Sequence, residues 1–288
     1  MSTAQIIPDH PGSQARGGHA SPAGRLRAAY ALSAATGVLM AAQSATGMLF
    51  FGLYRDQQFA LDAWRVNDPV TFFVAVPLVF ASLALAVRGS LRGLLVLLGV
   101  MQYALYNYAY YLFGAALNVH FLLYVALFVV SGLTLIAGLS GLDVSAIHKS
   151  FSPRTPVRLV AAYMGFWAAA LGVAWIGQSL LFTFTGQLPE LGEGPFRLIA
   201  ALDLSLVVTP VAIGAKWLWA RRVWGFIIAV VLNTQGTIYA ALLSIASLAG
   251  GPVAEGGGDG LFALWLVFTL GSLGSLAVLL ANMRSAEQ

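Results

Sequence analysis

The sequence predicts an all-α fold, a polytopic transmembrane bundle of about eight helices, and three observations carry that prediction. The mean hydropathy is +0.82. Hydrophobic residues make up 59% of the chain and charged residues 9%, where a soluble domain carries about 25% charge. From Arg27 onward, long apolar stretches alternate with short charged breaks, and about 20 apolar residues at 1.5 Å each cross about 30 Å of hydrocarbon.

Eight stretches meet that length, at 28–53, 69–87, 93–116, 120–141, 158–185, 197–217, 223–249 and 261–283. Residues 1–27, with Pro8, Pro11, Gly12, Gly17, Gly18, Pro22 and Gly24 and no apolar run, read as a disordered cytoplasmic tail and not as a signal peptide. Residues 284–288 read as a second, short tail.

Lys and Arg set the orientation. With the N-terminus cytoplasmic, Arg16, Arg25, Arg27, Arg88, Arg92, Lys149, Arg154, Arg158, Lys216, Arg221, Arg222 and Arg284 fall inside, and Arg55, Arg65 and Arg197 outside. Asp56, Asp62, Asp68, Glu190, Glu193, Glu255 and Asp259 also fall outside. This obeys the positive-inside rule at every loop and predicts a multi-pass protein of the cell (inner) membrane with both termini cytoplasmic. In a lipid-embedded chain the basic excess orients the helices and does not mark a nucleic-acid partner.

The uncommon polar residues recur in order. Gln43, Ser44 and Asp68 match Gln178, Ser179 and Asp203 at an offset of 135, and Pro77, Arg88, Gln102 and Tyr106 match Pro210, Arg221, Gln235 and Tyr239 at 133. This predicts two four-helix halves, 28–141 and 158–283, joined by a cytoplasmic linker at 142–157. With four spans each, the halves enter the membrane in the same direction and are related by an axis along its normal, with a ligand site between them.

Composition closes several classes. With Cys 0 there is no disulfide, thiolate nucleophile or cysteine-ligated metal. The four histidines, His10, His19, His120 and His148, nowhere stand three or four apart, so no helix face carries a paired metal site. No metal and no cofactor are expected.

The candidate site rests on polar groups inside spans, since lipid satisfies neither a donor nor an acceptor. Asp203 is the one acid placed within a span, six residues from its outer end. Asp68, its counterpart, precedes Pro69 and reads as an N-cap followed by proline at the first helical position. In the third span Tyr103, Asn107, Tyr110 and Gly114 fall within about 60° of one another at 100° per residue, with Gln102 and Tyr106 beside them. The seventh span carries Asn233, Thr234, Gln235, Thr237 and Tyr239. Asp203, Tyr103, Tyr106, Asn107, Asn233, Gln235 and Tyr239 are therefore expected to line one outward-opening cavity between the halves. Pro77 and Pro210 each free a backbone carbonyl in matching spans.

The stretch from Asn67-Asp68 through Arg88-Gly89-Ser90-Leu91-Arg92-Gly93, Tyr106-Asn107-Tyr108 and Phe113-Gly114 to Phe121-Leu122-Leu123-Tyr124-Val125 resembles a family of bacterial polytopic membrane proteins with no established activity. The resemblance implies bacterial origin and membrane location, and it brings no catalytic residue. Two functions fit the residues. One is a protein that binds, and by extension transports, a small organic or lipophilic solute among neutral amide and aromatic groups. The alternative is an intramembrane enzyme on a lipid or isoprenoid substrate with Asp203 as general acid. The second lacks an evident base, metal or nucleophile.

Overall fold

The computed structural model describes residues 21–248 and 259–284. Eight long helices account for most of them: α1 (Pro22–Leu49), α2 (Gln58–Val87), α3 (Leu91–Gly114), α4 (Phe121–Gly141), α6 (Val157–Thr185), α7 (Glu193–Trp219), α8 (Val223–Leu248) and α9 (Asp259–Ala281). A short helix, α5 (Val144–Ser150), lies in the connection between α4 and α6. The expected tail at 1–27 lies outside the described residues as far as position 20, and so do residues 285–288. From Pro22 the chain is already helical. Ser21 accepts a hydrogen bond from the Gly24 amide at 3.2 Å and Pro22 follows at the first helical position, a start signal that the surrounding glycines mask.

Six helices (α2, α4, α6, α7, α8 and the 261–281 part of α9) are long and apolar enough to cross a membrane. The other two, α1 and α3, have 28 and 24 residues. They fall short on polarity, α3 because of its tyrosines, Gln102 and Asn107. Burial runs opposite to that of a soluble protein. Leu49, Phe73, Leu122, Ile136, Leu159, Val173 and Phe184 are exposed, while Gln43, Asn67, Asp68, Asn107, Asp203, Asn233 and Gln235 are buried. Large apolar side chains outside and amides inside are what a lipid surrounding selects, so the chain is a membrane protein.

The core is built on α3 and α8, which carry the longest sets of buried residues and pack directly on each other. Their backbones approach closely at Gly99, where any Cβ would run into Thr234, the small-residue contact typical of helices in lipid. Around this pair, α3 also packs on α2 and α4, and α8 on α7 and α9; α1 packs on α4, and α6 on α7. The early part of α7 touches α3 and the early part of α2 touches α8.

Helices α2 and α7 each contain one π-helical turn, Thr71–Ala75 and Asp203–Val208, followed two residues later by Pro77 and Pro210. Pro210 has no N–H to offer the Leu206 carbonyl four residues back, and the Gln102 side-chain amide donates to that carbonyl at 3.3 Å.

One end of the bundle is basic and interlocked. Arg92 donates to the Met283 carbonyl, Arg221 to the Thr155 carbonyl at 3.0 Å, and the Ser152 amide to the Asn282 carbonyl at 3.0 Å. The opposite end carries the α1–α2, α3–α4 and α6–α7 connections.

Candidate functional site

Three of the seven candidate residues come together. Asp203 opens the π-helical turn of α7 and is buried. One carboxylate oxygen accepts from the Tyr106 hydroxyl at 2.6 Å and the other from the Trp175 indole N–H at 2.8 Å. The Tyr106 ring meets Tyr239 edge to face, with centres 4.9 Å apart at 72°. Trp175 on α6 was not singled out from sequence, although an indole N–H within an apolar span needs an acceptor and that need was a usable signal.

Tyr103 and Asn107 belong to a second group, on the face of α3 turned to α2. The Tyr103 hydroxyl lies 2.9 Å from the Thr71 hydroxyl, and the Asn67 amide donates to the Asn107 carbonyl oxygen at 2.7 Å. Asn233 donates to the Ala229 carbonyl of its own helix at 2.7 Å. Neither Asn233 nor Gln235 joins a described side-chain hydrogen bond to the other five. The Asn107 Nδ2, Asn233 Oδ1 and Gln235 Oε1 atoms are buried without a partner among the described residues.

A second buried carboxylate overturns the reading of Asp68-Pro69 as a helix start. Helix α2 begins at Gln58 and runs through both residues. Asp68 is 1% exposed and accepts from Tyr54 at 2.6 Å, Tyr111 at 2.7 Å and Gln43 at 3.2 Å. Gln43 in turn accepts from Tyr108 at 3.0 Å, and Trp64 stacks on Tyr111 with ring centres 3.9 Å apart. Burial first, and the Asp68 carboxylate second, push the Tyr54 hydroxyl well up from its ordinary range, so Tyr54 stays a donor. Among the described residues the ion pairs are Arg65 with a half-buried Asp62 and Arg197 with Glu193, the second solvent-exposed. Neither Asp68 nor Asp203 takes part in one, and neutral O–H and N–H donors fill their lone pairs instead.

A cavity of about 760 Å³ opens at the end opposite the basic one. Its walls are Arg55, Asp56, Gln57, Phe59, Ala60 and Trp64 at the start of α2, Tyr110 and Phe113–Ala116 at the end of α3, and Gly194, Pro195, Arg197, Leu198 and Ala201 at the start of α7. None of the seven candidate residues lines it. Tyr110, however, stands four residues from Tyr106 on α3, about 6 Å along the axis, and Ala201 stands two residues before Asp203. The Asp203–Tyr106–Tyr239 group thus lies within about one helical turn of the cavity wall along α3 and α7. The cavity was not visible in the sequence because three separate chain segments meet to form it.

Set against known protein families, curated proteins and solved structures, the chain matches none of them. The resemblance of the 67–125 region to a bacterial membrane family gains no support from this, and what the helices themselves establish is a helical membrane protein with a buried aromatic and polar cluster.

Proposed function

We propose that this protein binds a small organic or lipophilic solute in the cavity between two four-helix halves, residues 28–141 and 158–283, and carries it across the inner membrane of a bacterial cell. In this reading both termini are cytoplasmic and the cavity opens outward. The observation that carries the proposal is the composition of the cavity wall, which takes α2 and α3 from one half and α7 from the other, about one helical turn from Asp203, Tyr106 and Tyr239. Ligand sites in parallel-repeat carriers lie between the halves, and 760 Å³ falls in the range of about 300–1,000 Å³ of drug-sized sites. Two further features support a repeat: a π-helical turn before a proline in both α2 and α7, and the reciprocal packing of early α7 on α3 and early α2 on α8. The two turns are natural hinges for alternating access. The enzyme reading gains nothing from the geometry, since both oxygens of Asp203 already accept hydrogen bonds.

The test is untargeted mass spectrometry of small molecules copurifying with the wild type and with Ala201→Trp, which places an indole in the cavity wall. The expected result is a solute enriched on the wild type and depleted on the variant. Equal small-molecule content on both would remove the cavity from consideration.

A further inference from the structure

We infer that the solute class taken by this cavity is an amphiphilic anion, a carboxylate or phosphate head on an apolar body; the inference rests on the cavity being the binding site. The charged groups that line it are, with one exception, cations. Arg55 comes from the chain leading into α2 and Arg197 from the first turns of α7, so each half contributes one guanidinium. Arg197 meets Glu193 only at 4.0 Å, with both side chains more than two-thirds exposed, a pairing too weak to occupy it. The exception is Asp56, and its carboxylate is already engaged: one oxygen accepts from the Ala116 amide and the other from the Trp64 indole N–H at 3.2 Å.

A third donor faces the same space. Tyr110 lines the cavity, is only 8% exposed, and its hydroxyl has no hydrogen-bond partner among the described residues. Its O–H is open to solvent there and free to donate to a bound oxygen. The backbone adds to this. Helices α2 and α7 both begin at the cavity, at Gln58 and Glu193, and neither N-cap residue, Gln57 or Gly192, caps its helix with a side chain. The start of α2 brings free amide N–H groups and the positive end of a helix dipole to the cavity, whereas Glu193 and Pro195 in the first turn of α7 leave that helix little of either. Guanidinium, phenol and amide donors suit a carboxylate or phosphate. The rest of the wall, Phe59, Phe113 and Leu198 among it, offers an apolar body no hydrogen bond and much contact area.

The test uses the full-length protein in phosphatidylcholine nanodiscs and two probes of the same shape, 4-phenylbutyrate and its neutral counterpart 4-phenylbutanol, followed by tryptophan fluorescence. The acid is expected to bind about tenfold or more tightly than the alcohol, the difference made by charge-assisted hydrogen bonds. In Arg55→Gln/Arg197→Gln that preference is expected to disappear, while an unchanged thermal-unfolding midpoint shows that the variant is folded. Equal binding of acid and alcohol to the wild type overturns the anion inference and leaves the cavity reading standing. Binding of neither probe overturns both. Repeating the titration with phosphatidylglycerol in the disc separates the two sources of the anion. Weaker binding of the acid there identifies the occupant as an anionic lipid headgroup, and unchanged binding identifies a free organic acid.

Discussion

Tyr106 and Tyr239 meet edge to face, with their ring centres 4.9 Å apart, although they stand on the third and seventh of the eight long helices. They also share the 133-residue offset that relates Gln102 to Gln235 and Pro77 to Pro210. Two equivalent positions of a repeat touch each other only near the axis that relates its halves, so this contact is where such an axis would pass. The Tyr106 hydroxyl leaves the pair to reach Asp203 at 2.6 Å, which ties α3 to α7.

That bond makes the two residues one energetic unit. Tyr106→Phe removes the O–H and keeps the ring contact, and it is expected to lower stability by about 1–2 kcal/mol. Asp203→Asn keeps the volume but places an amide where two donors converge, with a loss of the same order. Because both changes alter the same contact, the double variant should lose less than the sum of the singles. Reversible unfolding in detergent measures all three, and strictly additive losses would show that the bond contributes nothing.

Gln102 has a different task, which is to donate to the Leu206 carbonyl, to which Pro210 has no N–H to offer. Gln102→Leu is expected to cost about 1 kcal/mol, toward the upper range of polar contacts between membrane helices. Pro210→Ala restores an N–H at that turn. In that background the same Gln102→Leu change should cost clearly less, and an equal cost in both backgrounds would sever the link between the two residues.

Helix identity was legible where hydropathy alone decides it. The fourth span, expected at 120–141, is Phe121–Gly141, and the fifth, expected at 158–185, is Val157–Thr185. It was not legible where polar residues sit inside a helix. Asp68-Pro69 looks like a helix start, yet α2 begins ten residues earlier because the carboxylate is spent on Tyr54, Tyr111 and Gln43 instead of on its own backbone. Asp203 and Tyr106 stood out as rare residues in an apolar run, and the structure joins them. Trp175 and Trp64 did not, because an indole in a hydrophobic segment reads equally well as a lipid contact or an interfacial anchor. The cavity wall is made of chain ends brought together only by tertiary packing, and no periodicity encodes that.

The Asp68 cluster leaves no room at Gly47. A Cβ there would fall onto the Asp68 carboxylate and the Tyr54 hydroxyl, so Gly47→Ala must push apart two buried polar groups whose partners are fixed. The expected loss is about 2 kcal/mol or more, from overpacking and broken hydrogen bonds together. Gly52→Ala, five residues on and with open space around the site, should be close to neutral. Thermal unfolding of the two variants side by side is the measurement, and equal midpoints would mean that the cluster tolerates displacement.

The topology offers the widest test. Contacts join Arg92 to Met283, Arg221 to Thr155, and Ser152 to Asn282, so four chain regions far apart in sequence lie on one face of the bundle. These regions, 92, 150–155, 221 and 282–284, are the ones that the distribution of Lys and Arg assigns to the cytoplasm. The opposite face holds Arg55, Asp56, Ala116, Gly194 and Arg197 around the cavity. Reporter fusions at residue 150 and at the C-terminus are expected to report cytoplasm, and fusions near 60, 190 and 255 the outside. Residue 255 lies outside the described residues, so its fusion tests the charge rule alone. If 150 and the C-terminus reported opposite sides, the contacts that join them could not form. If all the loops were reversed together, the bundle would stand but the cavity would open to the cytoplasm, and the solute it takes would have to be sought there.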